Sequence, residues 1–215
     1  MIPILERALR DRTTSLIWWT VGVSIYCSFI LAVWPAIDGN DDFDQIFEEM
    51  PDALTAMFGA DTFAEFSSPG GFLSTYLFSL ILPFILAALA ISVSSSLVAG
   101  EEEAGVTELV LSYPVARRRV HSGRAIAMLT AVVLVATAAT IVIVVGREPV
   151  DLDIGATGLV VAIIGTALYA AVHGAIALFV GAHTGSRGLS TAVAWGIVLT
   201  GYLVNVLASI DASLA

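Results

Sequence analysis

Five long runs without a single charge decide what this chain can fold into. They are Ser15–Ile37, Phe72–Val98, Ala125–Gly146, Thr157–Ala182 and Leu189–Ile210, and none contains Asp, Glu, Lys or Arg. Each is long enough to cross a hydrocarbon layer of ~30 Å, which takes ~20 residues of helix. A helix closes its backbone hydrogen bonds within itself, so runs of this length and uniform apolarity suit lipid better than buried strands. Charged residues are 13% of the chain against about 25% in soluble domains, and mean hydropathy is +0.92, so a large soluble core is excluded. The expected fold is all-α: a polytopic membrane protein with five transmembrane helices, forming one domain over residues 1–215, with no internal repeat.

Charge is sorted by loop. All nine basic residues are arginines. Arg7, Arg10 and Arg12 precede the first run; Arg117, Arg118, Arg119 and Arg124 lie between the second and third; Arg187 lies between the fourth and fifth. Only Arg147 falls on the other side. The positive-inside rule therefore places the N-terminus and these loops in the cytoplasm, and the expected location is the plasma membrane, as a multi-pass protein. The opposite side collects Asp38, Asp41, Asp42, Asp44, Glu48, Glu49, Asp52, Asp61 and Glu65, with Glu148, Asp151, Asp153 and Asp211. The net charge of −10 is thus mostly an external fringe and implies neither an acidic partner nor nucleic acid. The first run is expected to be retained, because it is too long for a signal sequence and no small-x-small cleavage site follows it.

Two flanking segments are amphipathic. In the first, Ile2, Leu5 and Leu9 oppose Glu6, Arg7, Arg10 and Asp11, the pattern of a helix lying along the cytoplasmic interface, although a charged stub orienting the first span has a similar composition. In the second, Phe43, Ile46, Phe47, Met50, Leu54, Met57 and Phe58 recur every three or four residues, interrupted by Pro51 and closed by Gly59. One or two helices resting on the outer membrane surface or on the spans are expected there, in a packing role.

Within the spans the chemistry is sparse. Ion-coupled transporters keep ionisable groups in the membrane despite a cost of ~2.5–3.5 kcal/mol each at the helix centre. Here His173 alone qualifies, and with no carboxylate at its depth it reads as a packing histidine rather than a proton relay. Cys27 reads as packing too, while Asn205, Ser92, Ser94, Ser95 and Ser96 are expected to bond neighbouring helices or their own backbone. No GxSxG elbow or HExxH pair occurs, and His121, His173 and His183 lie in different segments, so neither a serine enzyme nor a metal site is expected. The chain has no lysine, which rules out a GxxxxGK[ST] phosphate loop. If ATP drives its work, another polypeptide must hydrolyse it.

The densest charge lies in Val98–Arg124, between the second and third runs. Val106, Leu109, Val110 and Tyr113 follow helical spacing, Gly105 frees the start and Pro114 stops the helix. Such a short, partly apolar helix is suited to dock into a groove on a soluble partner. Arg117, Arg118, Arg119 and Arg124 are placed to hold anionic headgroups at ~1 kcal/mol per charge. On physics alone the stretch also reads as a connector whose arginines snorkel to the interface.

The residues Glu101, Glu103, Gly105, Glu108, Leu109, Leu111, Ser112, Pro114, Val115 and Arg117 resemble the E-x-E-x-G-T-L-E-L-L-L-S-x-P-V-S-R segment of permease subunits of type-2 ATP-binding cassette (ABC) exporters. Val106 stands where that family usually has Thr. The resemblance implies that this segment is a cytoplasmic coupling helix docking on a separate ABC ATPase subunit, which holds ATP and Mg while this chain binds no cofactor. It also implies a dimer with a second permease, identical or not, and a translocation path from the first, second and fifth spans that includes Trp18, Trp19, Tyr76, Phe78 and Asn205. The apolar spans suggest export of a hydrophobic or amphiphilic cargo such as a drug, antibiotic or lipid-like molecule. The family typically has six spans, so the sixth is expected to be truncated here or supplied from elsewhere. The rival expectation is a non-transporting membrane anchor that recruits a soluble partner through the same segment.

Overall fold

The computed structural model describes residues 2–37, 68–103, 105 and 116–214, and all regular structure among them is helical. A short helix α1 (Ile2–Arg10) turns at Asp11 and Arg12 into α2 (Thr13–Ile37). The second span starts with α3 (Pro69–Leu73) and a π-helical turn (Ser74–Phe78), and continues as α4 (Ile81–Ser95). A second π turn (Ser96–Gly100) and a helical turn at Glu101–Glu103 complete it. After it come α5 (Arg117–Gly146), a 3-10 turn (Glu148–Val150), α6 (Ala156–Thr184) and α7 (Arg187–Leu214). Among the described residues, five helices are long and apolar enough to cross a membrane, as the uncharged runs require. The expected N-terminal amphipathic helix is α1, packed against α5. The amphipathic pattern expected between Phe43 and Phe58 lies outside the described residues.

The second span is the hub. Half of its most apolar window is buried, against 17% for the last span, and α4 touches α2, α5, α6 and α7. Its two irregular turns have local causes. Pro83 lacks an N–H and its ring crowds the carbonyl four residues back, at Ser79, so regular helix gives way at Ser79 and Leu80. Ser79 compensates by donating both its N–H, at 2.7 Å, and its hydroxyl, at 2.8 Å, to the carbonyl of Ser74. Ser68 caps the start of α3 by accepting from the N–H of Gly71 at 3.0 Å, ahead of Pro69 at the first helical position.

Lipid gives helices no hydrophobic reason to associate, so they are held by close packing of small residues. Helix α6 buries Ala170, Gly174, Ala177 and Gly181 along one face, and α5 answers with Ala127, Ala131 and Ala139. Gly174 is the tightest point: a Cβ there would lie 2.9 Å from the Met128 sulfur and 3.0 Å from Ala90 Cβ. His173 sits beside it, buried, with Nδ1 2.8 Å from the carbonyl of Tyr169 and its ring centroid 4.3 Å from that tyrosine's, in a packing position. At the acidic end, the Tyr26 hydroxyl donates to the Tyr76 carbonyl at 2.8 Å, joining α2 to the first π turn.

A branched side chain at position 174 must push three helices apart. Gly174→Val is expected to cost about 1–3 kcal/mol of stability, the usual penalty of overpacking, and Gly165→Val, where nothing lies within 4 Å of an added Cβ, much less. Thermal unfolding of the two variants in detergent measures the difference.

Candidate functional site

The arginine-rich end of the bundle carries a bracket of polar contacts around residues 96–103. Arg124 Nη2 donates to Glu101 Oε2 at 2.6 Å, with the arginine side chain 4% exposed and the glutamate 29%. Arg12 reaches from the α1–α2 turn to Ser96, its Nη2 at 2.8 Å and Nε at 3.3 Å from the hydroxyl oxygen. Burial lowers the pKa of the Arg12 guanidinium, while nearby Glu101 and Asp11 pull it back up. The backbone N–H of Arg187, first residue of α7, donates to Glu103 Oε1 at 2.8 Å. Glu102 lies against Gly185, which closes α6 in the left-handed conformation (φ +62°); a Cβ there would be strained and only 3.2 Å from Glu102 Oε1. The stretch where the second span ends is therefore tied to α2, α5, α6 and α7.

The glutamates and the first arginines sit at helix termini of unfavourable sign: three glutamates close one helix and three arginines open the next. Joining Glu101 to Arg124, two turns inside α5, gives the first glutamate a counter-charge, and Glu103 gains one in the positive N-terminus of α7. Ser186 completes that terminus by accepting from the N–H of Leu189 at 3.4 Å.

Two sequence expectations are corrected here. The third span begins at Arg117 rather than Ala125, since arginine is a good helix former and the chain has already passed Pro114. Arg124 consequently faces the bundle, on the same stripe as buried Val120, Ala127 and Ala131, and binds Glu101 instead of a lipid headgroup. That stripe was the available signal: an arginine at helical spacing within an otherwise apolar face.

Of the residues singled out for coupling, Glu101 and Glu103 belong to the bracket. Gly105 adopts φ +71° and donates its N–H to the Glu102 carbonyl at 2.9 Å, turning the chain away from the second span. Arg117 is exposed at the start of α5. Glu108, Leu109, Leu111, Ser112 and Pro114 lie outside the described residues. Arg12, Ser96, Arg124 and Arg187 were not assigned a site role from sequence, the arginines having been read as topology or headgroup charges.

The five residues considered for a translocation path do not converge. Phe78 and Asn205 share a cavity of about 520 Å3 between α4, α6 and α7, together with Phe84, Tyr169 and Tyr202. Phe84 and Tyr202 meet edge to face, 5.5 Å between centroids. Tyr76 instead packs tilted against Phe72, ring centroids 4.9 Å apart, on the α2 side of the second span. Trp18 is 70% exposed on the outer face of α2, and Trp19 packs partly against the core near the arginine-rich end.

This architecture defines a multi-pass α-helical membrane protein with a polar junction at one end. The chain belongs to the ABC-2 family of transporter proteins, whose family model matches residues 2–212. No curated protein and no solved structure matches it. Membership makes the chain an ABC permease component, distinct from the ATPase, and implies an ABC ATPase subunit as partner.

Glu101→Gln would leave Arg124 buried beside a neutral amide. Breaking a buried pair typically costs about 3–5 kcal/mol, and the partial exposure of Glu101 puts the expected loss near the lower bound. A double-mutant cycle with Arg124→Gln, read by unfolding in detergent, should give a coupling energy well above the ~0.5 kcal/mol of a surface pair.

Proposed function

We propose that this chain is the permease subunit of an ATP-driven exporter in the plasma membrane, with the arginine-rich end and the N-terminus in the cytoplasm. The observation that carries this reading is the bracket: the root of the Val106–Val115 segment is fixed to α2, α5 and α7 through Arg12, Arg124 and Arg187. A soluble ATPase that grips the segment pulls on Glu101 and Glu103, and so on several spans at once. ATP and Mg belong to that partner, and closure of its two copies is transmitted as a rigid-body shift of the spans. Two permease chains, identical or sister subunits, form the working unit.

The cargo is a hydrophobic or amphiphilic molecule such as a drug, antibiotic or lipid-like compound. The cavity shared by Phe78 and Asn205 supports this reading, having aromatic walls, neutral polar groups and no charged residue among those lining it.

Co-purification with candidate ABC ATPase subunits tests the proposal. The native chain should retain one of them, and Glu108→Arg with Leu109→Asp should abolish the complex while leaving the membrane protein folded. Retention without ATP-dependent export from proteoliposomes would instead support the anchor reading. In a complex that does export, Phe78→Ala should raise KM for cargo with ATPase binding unchanged.

A further inference from the structure

A groove of about 600 Å3 opens between α1, the first turns of α2 and the middle of α5. Its walls are apolar, including Leu16, Val21, Ala131 and Leu134. Glu6 and Arg10 stand at its mouth, both exposed and one turn apart on α1. Glu at i with a cation at i+4 is the order that favours an ion pair along a helix. The pair that forms on α1 is nevertheless Arg7 with Asp11, at 3.6 Å, while Glu6 and Arg10 are not joined to each other. Two opposite charges thus stand unjoined to each other beside an apolar trough, just before the first span begins at Thr13 and hence at headgroup depth.

We propose that this groove binds one phospholipid whose headgroup carries both a phosphate and a primary ammonium, as in phosphatidylethanolamine. One acyl chain lies along the apolar walls, held by close packing as the spans themselves are, since a tail leaving the bilayer gives up no contact with water. The Arg10 guanidinium holds the phosphate through its planar fork, and the Glu6 carboxylate accepts from the ammonium. Headgroup chemistry then sets selectivity. Phosphatidylcholine keeps the phosphate but its quaternary ammonium has no N–H to donate, and phosphatidylglycerol leaves Glu6 facing a net negative headgroup with no cation. The opposite signs of Glu6 and Arg10 distinguish this groove from ordinary lipid-facing surface, which needs only apolar side chains. The inference does not depend on transport or on an ATPase partner.

The full chain, purified in detergent, is titrated with dioleoyl phosphatidylethanolamine, phosphatidylcholine or phosphatidylglycerol and bound lipid is counted by native mass spectrometry. One equivalent of the ethanolamine lipid should bind about tenfold more tightly than either competitor, the scale of one charge-assisted contact. Arg10→Gln should weaken its binding by a similar factor, and Glu6→Gln should remove the preference over choline while binding persists. Both residues are on the surface, so both variants should unfold at the native temperature. Equal affinity of the native chain for all three lipids overturns the proposal, as does a headgroup preference that survives both substitutions.

Discussion

Arg124 is almost wholly shielded from solvent, and the carboxylate of Glu101 is its counter-charge at 2.6 Å. A lone buried cation near the membrane boundary would cost several kcal/mol, so the ends of the second and third spans are held in register by the requirement that these two groups meet. The neighbouring contacts follow from that register. With Glu101 facing α5, Glu102 is turned toward the glycine that ends α6 and Glu103 toward the first N–H of α7, while Ser96 meets Arg12. Elsewhere in the bundle the helices rely mainly on small residues and apolar packing, with single hydrogen bonds such as Tyr26 to the Tyr76 carbonyl and Ser190 to the Ala177 carbonyl.

The irregularities of the second span lie at its two ends. One π turn, beside Pro83, shapes the wall of the aromatic cavity through Phe78. The other runs from Ser96 to Gly100, inside the bracket, with Gly100 beside the Arg187 side chain. Between them α4 is regular and the most deeply packed helix of the bundle. A stiff rod with an irregular turn at each end suits the transmission proposed between an ATPase partner and this cavity.

How much was legible in the sequence depended on whether the signal was local. The five spans could be read because lipid demands uninterrupted apolar helix, and the structure extends the third from Ala125 back to Arg117. The helix at Ile2–Arg10 was visible in its alternation of faces. Arg124 was misplaced because positive-inside reasoning counts an arginine as a topological charge and says nothing about which way it points. Its glutamate lies 23 residues away in sequence, and such a pairing emerges only once helix register is known. The cavity containing Phe78 and Asn205 needed three helices to be assembled, so nothing in the sequence separated those two residues from Trp18, which faces outward.

The account makes a buried residue responsible for an interaction at the surface. Arg124 faces the bundle, yet it holds the root of the segment proposed to dock on the ATPase. The affinity of that ATPase for the chain in nanodiscs, native against Arg124→Gln, measured on protein whose helical content and folded fraction match, is the most direct measurement. A loss of about tenfold, or ~1.4 kcal/mol, in a folded variant is what the account predicts. An unchanged Kd would show that the segment docks independently of the bracket and would contradict it.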